Sequence, residues 1–220
     1  MSCLIKGDLE VSNFLIVESD GDKFFIEALL VHMNLDIEVG SPICAIDEFE
    51  CIGGMSKLNN KLQSLKRRVQ KESIDKIGII FDADEVGIEK RTIDIKREVT
   101  NVFGEEPTVE FKPFIMHVDG KGELEDILKI IKTEESLYAD CLESWKICLS
   151  ENKREVSDKV FNKFWINNYI MYDTCTSSKH RGRKSKYCIF EYAMKEKKIW
   201  DFDNPILKEL KSFLKEIGEN

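Results

Sequence analysis

The chain has 220 residues, 42% of them hydrophobic and 34% charged. That is enough apolar material for a packed core and rules against a disordered chain. A formal charge of −8 excludes a protein that coats nucleic acid by bulk electrostatics, so any polyanion must be held by local basic clusters. There is no apolar run of the ~18 residues a membrane span needs, and Met1 to Glu10 carries no targeting pattern.

Seven cysteines are scattered at positions 3, 44, 51, 141, 148, 175 and 188 without a CxxC pair. They read as reduced thiols of a cytoplasmic protein. His32, His117 and His180 are too far apart in the chain to suggest zinc.

In chain order, Asn13 to Val17 is an apolar strand, and Asp20 to Met33 is a helix whose Phe24, Phe25, Ala28, Leu29 and His32 share a face. Ile37 to Val39 and Ile43 to Ile46 read as short strands. Gly53-Gly54 introduces a helix to about Glu72, with Leu58, Leu62, Leu65 and Val69 at helical spacing. Lys76 to Phe81 is a second apolar strand, followed by a helix from Val86 to Phe103 with Gly104 as its C-cap. Val109 to Val118 is strand-like and closes in Asp119-Gly120-Lys121-Gly122. Glu123 opens the next helix. Beyond about residue 133 the pattern is helical, Thr174 to Lys186 is a polar basic loop, and Ile206 to Ile217 is a last amphipathic helix. The alternation defines an α/β fold with a central, mainly parallel sheet. An α/β core over residues 1–132 carries a helical part over 133–220, packed together as one unit.

Two of these strands end in acid. Phe14 to Val17 runs into Glu18, Asp20 and Asp22, and Ile77 to Phe81 runs into Asp82, Asp84 and Glu85. Apolar runs rich in β-branched residues are buried parallel strands, and the crevice beyond their C-terminal ends is where open α/β sheets bind ligands. Carboxylates converging there repel one another unless a cation sits among them. Asp82 and Asp84, two apart on extended backbone, point to one face and can share that cation. The pattern implies a Mg²⁺ (or Mn²⁺) site.

Val17-Glu18 with Asp22, and Phe81-Asp82-Ala83-Asp84, resemble the Toprim domain of topoisomerases, bacterial primases and OLD-family nucleases. Gly122-Glu123-Leu124-Glu125-Asp126-Ile127-Leu128, and Trp200 to Pro205 leading to Phe213-Leu214, resemble an uncharacterised family of stand-alone bacterial Toprim proteins related to the OLD-type branch. The resemblance implies a Toprim, Rossmann-like fold over roughly residues 12 to 217. It implies Glu18 as a metal ligand or general acid/base, Asp82 and Asp84 as the metal-binding pair, and Asp22, Glu125 and Asp126 as ligands of a second ion. The resembled motif has glycine after its glutamate; here Ser19 stands there, which is compatible only with a negative φ.

The basic stretch Lys179-His180-Arg181-Gly182-Arg183-Lys184-Ser185-Lys186 suits contact with a phosphate backbone. The resemblance to OLD-type nucleases, which carry a lysine late in the domain, implies Lys184 before Lys186 as the group that stabilises charge at a scissile phosphate. Gly53-Gly54 lacks the following GK[ST] of a P-loop, and His117 reads as a packed histidine. The function expected from these residues is two-metal, Mg²⁺-dependent cleavage of DNA or RNA. The alternative is a non-catalytic module that binds nucleic acid, a partner ATPase or a second copy, as in a phage-defence or toxin-like system.

Overall fold

Strand formation here follows from runs of residues that can be buried on both faces. The computed structural model describes residues 13–44, 54–175 and 186–219. Its sheet has four parallel strands in the order β2-β1-β3-β4: β1 (Phe14–Val17), β2 (Glu38–Val39), β3 (Lys76–Asp82) and β4 (Glu110–Met116). All four residues of β1 are buried, as are six of the seven of β3, as expected of central strands covered on both sides.

Alternate residues divide the core in two. Leu15, Val17 and Ile80 join one apolar cluster with helices α1 (Asp20–Met33), α4 (Leu124–Ile131), α6 (Asp158–Asn168), α7 (Phe190–Glu196) and α8 (Lys208–Gly218). Phe14, Ile16, Ile79 and Phe81 join the other, under α2 (Gly54–Val69) and α3 (Ile88–Phe103). The remaining helix, α5 (Leu137–Glu151), buries only Ala139. On α8, Leu210, Phe213, Leu214 and Ile217 are buried against the first face; each contributes roughly 1.5–3 kcal/mol of apolar burial. The helices beyond residue 133 thus share the sheet's core.

The register decides what meets at the sheet edge. Val17 pairs with Ile80, and Asp82 with Met116, so all three strands end within a residue or two of one another. Past them the loops are joined: Ala83 N–H donates to Met116 O at 2.9 Å, and Asp84 N–H to Gly122 O at 2.8 Å. Gly122 needs to be glycine because its φ is +95° and a Cβ there would lie 2.6 Å from Asp126 Oδ2.

Several sequence expectations are corrected. Ile43-Cys44 is not a strand, and the rest of that segment, to Ile46, lies outside the described residues. Ile43 and Cys44 still donate to Val17 O and Glu18 O at 3.1 and 2.9 Å, but Pro42 has no N–H and interrupts the ladder. Nor are the cysteines all thiols. Cys175 and Cys188 form a disulfide with Cα atoms 5.9 Å apart, and Cys44 is disulfide-bonded too. Cys141 and Cys148 are free and exposed. His117 is part-buried and holds a turn, its Nδ1 accepting from Gly120 N–H at 3.2 Å. Among the described residues, no helix is long and apolar enough to cross a membrane.

Candidate acidic site at the strand ends

Ser19 begins the site, and its backbone answers the question its identity raises. Its φ is −126°, ordinary extended backbone open to any residue. It caps α1: Ser19 Oγ accepts from Asp22 N–H at 3.2 Å, and Asp22 Oδ2 accepts from Ser19 N–H and Oγ–H at 2.8 Å each. This reciprocal pair satisfies donors that a helix start leaves open. Asp22 is thereby held at 2% exposure. Burial raises its pKa, against the hydrogen bonds from Ser19 that lower it.

Glu18, just before that cap, is pressed against the start of α2. A Cβ on Gly54 would lie 2.2 Å from Glu18 Oε1, so only glycine lets the carboxyl reach the helix N-terminus, where the helix dipole favours negative charge. Glu18 Oε2 is buried without a hydrogen-bond partner. Burial first, then the charges of Asp22 and Asp84, lift the Glu18 pKa from 4.5 to about 7, with Lys159 and Arg91 opposing.

Asp82 ends β3 and is buried; its Oδ1 accepts from Leu124 N–H, the first amide of α4, at 3.1 Å. Burial, followed by the charges of Asp22, Glu18, Glu125 and Glu123, pushes its pKa well above the usual carboxylate range. Asp84 differs. It adopts φ +48°, a left-handed conformation that aspartate tolerates better than most residues, and so does not continue the strand as expected. Both its oxygens are neutralised, Oδ2 by Arg91 Nη2 at 2.5 Å and Oδ1 by Lys159 Nζ at 2.7 Å. Arg91 also donates Nε–H to Asp82 O at 3.1 Å, tying α3 to the end of β3.

The third acidic group opens α4. Glu123 is 3% exposed, with both side-chain oxygens lacking hydrogen-bond partners. Lys159 Nζ is 3.4 Å from its Oε2, near enough for charge attraction without hydrogen-bond geometry. Burial, then Glu125, raises its pKa from 4.5 to about 7 against Lys159 and Lys163. Glu125 is also raised, by burial before all else. Asp126 is engaged structurally: Oδ2 accepts from Glu123 N–H at 3.0 Å and Oδ1 from Asn162 Nδ2 at 2.7 Å. Burial works to lower the Lys159 pKa, but Asp84, Glu123 and Asp82 overcome it and raise the pKa.

The fold therefore brings Glu18, Asp22, Asp82, Asp84, Glu125 and Asp126 to one edge and adds Glu123. It also supplies cations that sequence reasoning missed, Lys159 and Arg91. Arg91 is the fourth residue of the helix after the second acidic motif, about one turn in, where a search for cations facing that motif would have found it. Lys159 is 75 residues from Asp84, and no spacing rule connects them. Lys179, Arg181, Arg183 and Lys184 lie outside the described residues. Lys186 is exposed, with Nζ 5.2 Å from the Tyr187 ring centre.

Among the described residues, no three His, Cys, Asp or Glu side chains stand as a ready ligand set for a metal ion. The donor chemistry nevertheless fits a hard divalent cation. Buried, partnerless carboxylate oxygens of Glu18 and Glu123 sit where carboxylates outnumber cations, and such oxygens are Mg²⁺ ligands by preference.

A parallel α/β sheet with a cluster of largely buried acids beyond its strand ends is the class of protein that fold and site define. Over residues 12–219 the chain matches the family described as "Protein of unknown function (DUF3226)", and it belongs to that family. No curated protein and no solved structure gives a significant match.

Proposed function

We propose that this chain is a Mg²⁺-dependent nuclease of Toprim type that hydrolyses phosphodiester bonds in DNA or RNA. The observation that carries the reading is the pair of buried carboxylates, Glu18 and Glu123, with partnerless oxygens and pKa values raised to about 7. Buried acids of raised pKa beyond the ends of parallel strands are what a catalytic site of an open α/β sheet is built from.

Glu18, Asp82 and Asp84 would hold a divalent cation, and Glu123 and Glu125, with Asp22 and Asp126 behind them, would serve a second. When bound, such ions neutralise the phosphate and act as Lewis acids toward it. The protein's own groups divide the rest. Glu18, with a pKa near neutrality, suits proton transfer at pH 7: its Oε2 takes a proton as water oxygen bonds to phosphorus. The P–O bond to the leaving sugar oxygen breaks, and that oxygen is protonated from solvent. Lys159 places a permanent positive charge beside the acids, where negative charge grows on the phosphoryl oxygens. Arg91 holds Asp84 and the Asp82 carbonyl in position.

The test is purified protein with Mg²⁺ or Mn²⁺ on single- and double-stranded DNA and RNA, alongside Glu18→Gln and Asp82→Asn. Cleavage lost in both variants with binding retained is the expected result. If the unaltered protein cuts none of these substrates with either ion, the nuclease reading is abandoned.

One observation favours a second reading. Both oxygens of Asp84 are already neutralised by Arg91 and Lys159, which suits a non-catalytic module whose acids are balanced from within and which binds nucleic acid or a partner ATPase. Binding without cleavage under every metal condition selects it.

A further inference from the structure

Around α6 from the acidic crevice lies a cavity of about 410 Å³ whose lining includes Phe164, Asn167, Asn168, Met171, Tyr172 and Phe190. That volume falls within the range of small-ligand sites. We propose that this cavity receives an unpaired base of a single-stranded nucleic acid whose backbone passes along the acidic site. The inference rests on the nuclease reading only for what happens to the strand, not for its binding.

Three observations support it. The first is composition: three aromatic rings and a thioether surround the space, with two asparagines at its margin. Asn167 and Asn168 each donate a side-chain N–H within their own helical segment, to Lys163 O and Phe164 O at 2.8 Å each. That leaves each amide its oxygen, an acceptor for the exocyclic amino group of a base, and a second N–H. Aromatic faces with a few amide groups are how proteins hold splayed-out bases.

The second is exposure. Phe164 is 41% and Tyr172 42% exposed, so these rings are not core side chains that happen to border a void. Phe164 is braced by Trp145, with ring centres 5.5 Å apart, and Tyr172 by Tyr138 at 6.2 Å. A ring held by a second ring presents a stacking face with little freedom left to lose on binding.

The third is position. A Cβ on Gly21 would lie 3.8 Å from Phe190 Cε1 and 3.9 Å from Leu124 Cδ2, so Phe190 borders the first turn of α1, which in turn meets the start of α4. Those turns carry Asp22 and Glu125. On the other side, Lys163 immediately precedes Phe164 on α6 and its charge reaches Asp22, Glu123 and Glu125. Successive helical residues point about 100° apart, so one helix serves the crevice with Lys159 and Lys163 and the cavity with Phe164. A base in the cavity and a phosphate by the acids are then neighbouring parts of one strand. Duplex DNA keeps its bases stacked inside and offers nothing to such a cavity without unpairing.

The test measures binding with Ca²⁺ in place of Mg²⁺, so that a cation offsets the acids along the backbone path, and the oligonucleotide is checked to be intact after the titration. A short oligonucleotide containing 2-aminopurine is titrated with the protein as a single strand and as a duplex, by anisotropy and base fluorescence. The expected result is quenched fluorescence and single-strand binding about tenfold tighter than duplex binding. Phe164→Ala and Tyr172→Ala should each weaken single-strand binding by about tenfold, the scale of one lost stacking contact, while Tyr172→Phe restores it. Equal binding of the two forms, or alanine variants that bind as the unaltered protein does, overturns the inference. A protein that binds in the expected pattern yet cuts nothing with Mg²⁺ supports the cavity and rejects the nuclease reading. One that cuts single strand and duplex alike, with both bound equally, does the reverse.

Discussion

Lys159 Nζ stands 2.7 Å from Asp84 Oδ1, a contact between the helical part of the chain and the loop after the central strand. Without it, Asp84 would keep only Arg91, and the neighbouring Glu123 would lose its nearest cation. An acidic crevice with no metal bound needs such a counter-charge, and a phosphate entering the crevice would meet it.

Lys159→Met should separate the two roles. Its side chain is 51% exposed, so solvent screens the ion pair and the loss of stability should be about 1 kcal/mol or less. If Lys159 stabilises the phosphoryl charge, the cleavage rate should fall ~10²-fold or more. Comparing kcat with the denaturation midpoint checks this; a rate that falls no further than stability accounts for would assign Lys159 a purely structural role.

Asp82→Asn should abolish cleavage without weakening the fold. The Asp82 carboxyl is buried among other acids, so its charged form is unfavourable, and asparagine removes the charge while keeping an Oδ1 for Leu124 N–H. At pH 8 the metal-free variant should melt at or above the temperature of the unaltered protein, while activity drops ~10²-fold or more. A large fall in melting temperature would show that the ionised carboxylate is structural.

The pH dependence follows from Glu18 and Glu123, both raised from 4.5 to about 7 in the folded chain. A folded state that holds protons more tightly than the unfolded chain is favoured at low pH. Their contribution is fully present below pH 4.5, declines between 4.5 and 7, and is gone above about 7. Metal-free protein should therefore melt at a lower temperature at pH 8 than at pH 5.5, and Glu18→Gln should flatten that slope. Mg²⁺, binding the deprotonated form, should raise the melting temperature more at pH 8 than at pH 5.5. A profile that rises toward pH 8 without metal contradicts these shifts.

Gly54→Ala tests the approach of Glu18 to α2. The added Cβ would fall 2.2 Å from Glu18 Oε1, so the carboxyl must move. The atoms in the way are the far end of a flexible side chain rather than backbone, so the carboxyl can swing aside and stability should change little. Misplacing a reacting group by ~1 Å costs up to ~10²-fold in rate. Unchanged kcat in Gly54→Ala would mean Glu18 does not act where it lies.

Much of this site was legible in the chain because its signals are local. A buried parallel strand is an uninterrupted apolar run, and Phe14 to Val17 and Ile77 to Phe81 announce themselves, with Glu18 and Asp82 at their ends. Gly104 as a C-cap was equally readable. Less regular features were not. Ile43-Cys44 has the residues of a strand, yet Pro42 denies it a ladder. Asp84 is placed to extend β3 but turns left-handed, because the loop after β3 must meet Gly122 of the loop after β4.

By itself, then, the sequence determined a parallel sheet and the acids that end its strands, since periodicity and strand-end chemistry depend on residues next to one another. Only the tertiary structure decided which acids of the site keep an oxygen without a hydrogen-bond partner. It engaged Asp22 and Asp126 in helix caps, paired Asp84 with Arg91 and Lys159, and left Glu18 and Glu123 with partnerless oxygens. The physical reason is that a carboxylate's state depends on its burial and its nearest charges, and α6 brings Lys159 to Asp84 from 75 residues away.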